Sequence, residues 1–187
     1  GSPANRAKEA IRILFVYRVS GENVQKIKGG IVMIGTIKHM AFAVQDVSAS
    51  LAAYQRFLRV DTSVEPRTLQ KARSREAHFN LGGTQFQLCE SLDDDGRFAD
   101  HISQYGEGLH HICLTVDDIE AALQHVQAQG AALQQCRSCK VTGSHDHPEG
   151  LVAFVADGTV PGLSVEFMQV WTEAELAARS GRAVADV

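Results

Sequence analysis

His39-Met40-Ala41-Phe42-Ala43-Val44-Gln45-Asp46 and His111-Ile112-Cys113-Leu114-Thr115-Val116-Asp117-Asp118 follow one pattern, written twice. Each opens on a histidine, alternates small or polar residues with bulky apolar ones, and closes on an acidic residue. Alternation with a period of two is the mark of a half-buried strand. An apolar stripe at helical spacing follows in both places: Val47, Leu51, Tyr54 and Leu58 in the first, Ile119, Leu123 and Val126 in the second. Asp46 or Ser48 can cap the first helix and Asp117 or Asp118 the second, which Gly130 stops. The readings are a strand over 37–44 with a helix over 47–58, and a strand over 109–116 with a helix through 129.

Working outward, three strand-like segments follow each helix. In the first half they lie at 62–65, 73–80 and 84–90, with Gly82-Gly83 as a hairpin turn. In the second they lie at 132–135, 151–155 and 163–170. Gly83-Thr84-Gln85-Phe86-Gln87-Leu88 matches Gly162-Leu163-Ser164-Val165-Glu166-Phe167. His39 to His111 spans 72 residues and Gln87 to Glu166 spans 79, so the second copy carries a small insertion. The fold class expected is α+β, with two tandem βαβββ modules (35–95 and 96–171) forming a cupped mixed sheet around a metal site. Residues 172–187 read as a short capped helix and tail. Residues 1–34 read as an extension: Gly1-Ser2-Pro3 is a cloning remnant, and the run at 11–16 forms an arm or strand before Gly21, Gly29 and Gly30 break it.

Composition narrows the class. The chain has 187 residues, 44% hydrophobic and 21% charged, which is ordinary for a globular domain. Its formal charge of −4 gives no basic footprint for nucleic acid. No apolar run is long enough for a membrane span. Four cysteines are too few to staple a chain this long, so a reducing, cytoplasmic setting is expected.

Parity on the strands sorts the residues by face. His39, Ala41 and Ala43 share one side of their strand, as do His111, Cys113 and Thr115. Gln85, Gln87 and Cys89 share one side of theirs, as do Ser164, Glu166 and Met168. Met40, Phe42, Val44, Ile112, Leu114, Val116, Phe86, Leu88, Val165 and Phe167 take the opposite parity, where helices would pack. Bulky residues thus cover one face, and small or polar ones line the other. His39, Gln87, His111 and Glu166 put four metal-competent donors on that second face. Mixed N and O donors suit a divalent ion of the Co, Mn, Ni, Zn or Fe group. An octahedral shell with four protein ligands leaves two adjacent positions for substrate oxygens.

At these residues the chain resembles the vicinal oxygen chelate superfamily and, within it, the methylmalonyl-CoA epimerase family. Gly106-Glu107-Gly108-Leu109-His110-His111-Ile112 followed by Val116-Asp117-Asp118-Ile119 carries the resemblance furthest, and Phe79-Asn80-Leu81-Gly82-Gly83-Thr84 adds to it. It covers about residues 36–171. It implies His39, Gln87, His111 and Glu166 as metal ligands, an acyl-CoA substrate, and a homodimer. It further implies that Glu166 and Glu76 move the α-proton while the metal stabilises an enediolate. The chain departs from the family pattern at Val155-Ala156-Asp157-Gly158-Thr159 and in the His- and acid-rich loop 143–150.

Other signals are weaker. Cys136-x-x-Cys139 with His145 and His147 imitates zinc-ligand spacing but is short for a zinc finger, and reads as a polar loop. His110 should face away from His111, and His101 and His125 fall in helical stretches as solvated residues. Asp93-Asp94-Asp95-Gly96 reads as a turn. On the same scaffold a glyoxalase-I-like isomerase or lyase, an extradiol-type dioxygenase, or a non-catalytic small-molecule binder would also be expected to fit.

Overall fold

The structure is a computed structural model that describes residues 34–180; the expected N-terminal arm and the tail beyond 180 lie outside the described residues. Among the described residues nine strands and four helices form a curved, open sheet with helices packed on it. The first run is β1 (Ile34–Ala43), α1 (Val47–Leu58), β2 (Arg67–Leu69), β3 (Ser74–Leu81) and β4 (Thr84–Ser91). A connecting helix, α2 (Arg97–Tyr105), leads to β5 (Gly108–Val116), α3 (Ile119–Ala128), β6 (Leu133–Gln134), β7 (His145–His147), β8 (Gly150–Val155), β9 (Val165–Val170) and α4 (Glu173–Ser180).

The sheet runs β2-β3-β4-β1-β5-β9-β8-β6, with β7 added beside β8. β1 pairs parallel with β4 and β5 parallel with β9, and the two runs join through the antiparallel pair β1–β5. The order on one side of that seam is the order on the other. Hydrophobic burial explains the outer face. Val47 and Leu51 of α1 pack with Val44, Phe79 and Leu88, while Ile119, Ala122 and Leu123 of α3 pack with Val116, Val165 and Phe167. These are the two amphipathic stripes visible in the sequence, each buried on one sheet half.

Local chemistry sets the element ends. Asp46 Oδ1 accepts from the amides of Ser48 (2.8 Å) and Ala49 (2.9 Å), and Asp118 Oδ1 from that of Ala121 (3.0 Å). Gly82 and Gly83 both take positive φ (61° and 83°), the two-residue turn that matches strand twist. The strand expected at 62–65 is not there. Asp61 Oδ1 instead accepts from the Ser63 amide at 2.8 Å, making a turn, and the strand starts at Arg67, after Pro66. The last strand begins at Val165 rather than 163, because Leu163 donates its amide to the Val160 carbonyl in a turn.

Helix α2 is the element that changes the inner face. Its Phe98, 1% exposed, packs on Ala41, Ala43 and Cys89, roofing the first half of that face. Gly96 offers no capping side chain, so Ser91 Oγ at the end of β4 accepts from the amides of Phe98 and Ala99, both at 3.1 Å. A methyl group at residue 96 would run into the Ser91 side chain.

Candidate active site

Strand register brings the histidines and Glu166 together. On the inner face, Gln85 of β4 stands beside His39 of β1, which stands beside Cys113 of β5, which stands beside Glu166 of β9. One row along the strands lie Gln87, Ala41 and His111. His39 Nε2 is 3.2 Å from His111 Nε2 and 3.7 Å from Glu166 Oε2, and His111 Nε2 is 3.0 Å from the same oxygen. All three side chains are buried. A ligand atom of Cys113 also lies within 4.8 Å of His39 and Glu166 donor atoms.

Burial would raise the Glu166 carboxyl, but the His111 hydrogen bond and the charges of His111, His39 and Arg97 outweigh it and hold the pKa at about 2. His39 is lowered to about 4, chiefly by burial, so its ring is neutral at pH 7. A neutral imidazole at His39 and an ionised carboxylate at Glu166 are the protonation states that bind a divalent cation. His39 Nε2 faces His111 and Glu166, while its Nδ1 is buried without a hydrogen-bond partner. Three donor atoms converging on one point, one of them on a ring with an orphaned buried nitrogen, fit a metal ion. Gln87 lies on the same face and donates its Nε2 to Gln85 Oε1 at 2.9 Å, leaving its Oε1 as the available donor atom.

Glu76 is on the same face, in register with Cys89, and only 5% exposed. Its oxygens accept from Ser74 Oγ (2.7 Å) and sit 2.8 Å from His78 Nε2. Burial pushes its pKa up, yet those two hydrogen bonds and the charges of His78 and Arg97 bring it below the ordinary carboxylate value. The face therefore holds two buried, ionised carboxylates.

His110 departs from the expected parity. A bulge at Ala41/Phe42 leaves it as the extra residue between His111 and Leu109 in the β1–β5 ladder. Its Nδ1 then lies 2.8 Å from His111 Nδ1, and its ring packs on Phe98 and His101 of α2. His101 is accordingly half-buried rather than solvated, whereas His125 is exposed as expected. Arg97, also on α2, was not singled out from sequence. Its guanidinium sits 4.5 Å from the Phe98 ring centre, its Nε is buried without a partner, and its charge reaches both Glu76 and Glu166. A cavity of about 550 Å³ is lined by Arg97, His111, Cys136, Phe154 and Ser164 among others.

Residues 38–148 match the family model for the glyoxalase/bleomycin resistance protein/dioxygenase superfamily. The chain belongs to that superfamily. It is 30% identical to an ethylmalonyl-CoA/methylmalonyl-CoA epimerase of Cereibacter sphaeroides, over 74% of this chain and 100% of that one. It is 26% identical to a human mitochondrial methylmalonyl-CoA epimerase, over 80% and 82% of the two chains. A crystal structure of methylmalonyl-CoA epimerase from Mycobacterium tuberculosis shares the fold with a TM-score of 0.63, at 20% identity over 78% of this chain and 93% of that one. The two curated relatives are named as epimerases, which are isomerases, and no helix among the described residues is long and apolar enough to cross a membrane.

Proposed function

We propose that the chain is an epimerase of methylmalonyl-CoA or a related 2-methyl-branched acyl-CoA, dependent on a divalent metal held by His39, Gln87, His111 and Glu166. The observation that carries this reading is the inner face itself: a converging His39–His111–Glu166 cluster that shares its face with a second buried, ionised carboxylate, Glu76. The named relatives support the substrate class.

Epimerisation needs a base on one side of the α-carbon and an acid on the other. One carboxylate takes the α-proton, and the C–H electron pair passes into the thioester to give a planar enediolate. The second carboxyl, ionised in the free protein and so having to take up a proton when substrate binds, returns that proton to the opposite face. Glu76 and Glu166 are the pair in this reading, with Ser74 and His78 fixing Glu76. The bound metal would lower the energy of negative charge developing on the thioester oxygen. Arg97 supplies a cation, with an unspent Nε–H, for the carboxylate of the acyl group. The roof made by Phe98 keeps water from part of the face. A homodimer belongs to the same proposal and is read by light scattering on the purified chain.

The test is proton NMR in deuterated water with metal-loaded protein and methylmalonyl-CoA. Metal-dependent loss of the α-proton signal, abolished by His111→Ala, is the expected result. No exchange with the metal firmly bound would overturn the substrate assignment. A second reading has its own support: His39, His111 and Glu166 alone make the two-histidine, one-carboxylate set of iron dioxygenases. It leaves Glu76 and Gln87 without a role, and oxygen consumption with catechols separates it from the first.

A further inference from the structure

Outside the inner-face cluster, the structure gathers a second set of donors. Ligand atoms of Cys136, Cys139 and His145 all lie within 4.8 Å of one another. They come from two places in the chain, and backbone bonds hold the first of them. Gln135 and Thr142 form an antiparallel bridge, the Cys136 amide donates to the Val141 carbonyl at 2.8 Å, and the Lys140 amide donates back to the Cys136 carbonyl at 2.9 Å. Lys140 takes the left-handed conformation (φ 63°), which lets the chain fold back so that both thiols come to one side. Gln135 Nε2 adds a bond to the Lys140 carbonyl at 2.9 Å.

His145 arrives separately, on β7, the extra strand that has no counterpart in the first half of the sheet. Its Nδ1 lies 3.1 Å from the Gly143 carbonyl oxygen. A carbonyl only accepts, so Nδ1 carries the proton and Nε2 keeps a free lone pair. A metal-binding histidine is commonly fixed in this way. The short spacing from Cys139 to His145 argues against a zinc finger when read as sequence, but β7 brings the ring back to the thiols.

We propose that Cys136, Cys139 and His145 form a second metal site, for zinc or a similar borderline-soft divalent ion, with the fourth position open to solvent. Two thiolates and one imidazole are a donor set that selects zinc over hard, oxygen-preferring ions. Cys139 is exposed and Cys136 half-buried, so an ion can enter without unfolding. The site pins the 135–142 hairpin to β7. Because Cys136 and its neighbour Arg137 line the 550 Å³ cavity, the ion would fix one wall of it. Arg137 already ties that hairpin to α2 through Asp100 at 2.6 Å. This proposal rests on its own geometry and stands apart from the reaction assigned to the inner face.

The experiment titrates cobalt(II) into the full chain, purified with a non-thiol reductant, and reads both stoichiometry and the sulfur-to-cobalt charge-transfer band in the near ultraviolet. His111→Ala/Glu166→Ala protein, with the inner-face cluster broken, should still bind one equivalent and show the band. Cys136→Ser/Cys139→Ser should lose the band and one equivalent while keeping the wild-type circular dichroism spectrum. His145→Ala, which leaves both thiols in place, should weaken binding by at least about tenfold. A band that persists in the double cysteine variant would come from one of the two remaining thiols, Cys89 or Cys113, and would overturn the proposal. So would a mass lower by two hydrogens in the reduced preparation, showing a Cys136–Cys139 disulfide.

Discussion

The two halves of the sheet have the same strand order and the same helix position, and they are equipped differently. The first half brings His39, Gln87 and Glu76, and its inner face is roofed by Phe98 over Ala41, Ala43 and Cys89. The second brings His111 and Glu166, packs Val152 and Met168 with Cys113 in a small cluster of its own, and gains β7 and the Cys136–His145 grouping. Duplication supplies one donor-bearing β1-type strand and one β4-type strand per half, which is enough to bring donors together at the seam. The insertions, α2 in one place and the 135–147 segment in the other, decide what surrounds them. Equivalent positions therefore carry the cluster, and non-equivalent ones carry the proposed base Glu76 and the cavity walls.

The carboxylates give the sharpest test of that division. Glu166→Gln removes the charge shared by both histidines, and turnover should fall by about 10⁴-fold or more, with loss of metal. Glu76→Gln should leave metal stoichiometry at the inner face intact and lower kcat by about 10²- to 10³-fold. α-Proton exchange and metal analysis on both proteins check this. Equal metal loss in the two variants would mean that the halves share one role rather than dividing it. Arg97→Gln should raise KM for an acyl-CoA bearing a free carboxylate by about tenfold, the equivalent of one charge-assisted hydrogen bond, and spare a monocarboxylic analogue.

The roof is tested by stability. Phe98→Ala opens a hole under α2 and should cost about 3–5 kcal/mol, read from the denaturation midpoint at unchanged m-value. Ser91→Ala strands two amides at the start of the same helix and should cost about 1 kcal/mol. Should both changes prove neutral, α2 would be a loose connector and the roof would have no energetic basis.

The contrast between the halves also explains what could be read from sequence. Matching strands show up because parity is a local property, and the offset of His39 to His111 needs no knowledge of packing. Helix α2 is harder to see. It has nine residues, and its cap is a serine five residues upstream of the usual place, on a neighbouring strand. Parity puts His110 on the face opposite His111, but parity assumes an unbroken ladder, and the bulge at Ala41/Phe42 adds a residue and turns the ring to pack on Phe98 and His101. The thiol–imidazole grouping is long-range in the same sense: Cys139 and His145 are linked by β7 pairing with β8, which three residues of sequence do not announce. Alternation puts Gln85 and Gln87 on one face, but the hydrogen bond between them depends on side-chain rotamers that alternation does not set.

The smallest effect is the most direct comparison of the copies. Asp46 and Asp118 occupy the same position before α1 and α3, with nearly the same backbone angles (φ −138° and −142°, ψ 107° in both). Asp46 Oδ1 accepts from two amides and Asp118 Oδ1 from one. Each substitution by alanine should cost about 0.5–2 kcal/mol, because an orphaned helix-start amide returns to water or goes unpaired. The Asp46 change should be the larger by a few tenths. α1 has no acidic residue in its first turn, whereas Glu120 in the first turn of α3 continues to favour the helix dipole when Asp118 is lost. Urea denaturation of the two single variants and the double variant reads this. Costs that add in the double variant would show the two helices stabilising their halves independently. A double-variant cost well away from the sum would show that the seam between β1 and β5 couples them into one unit.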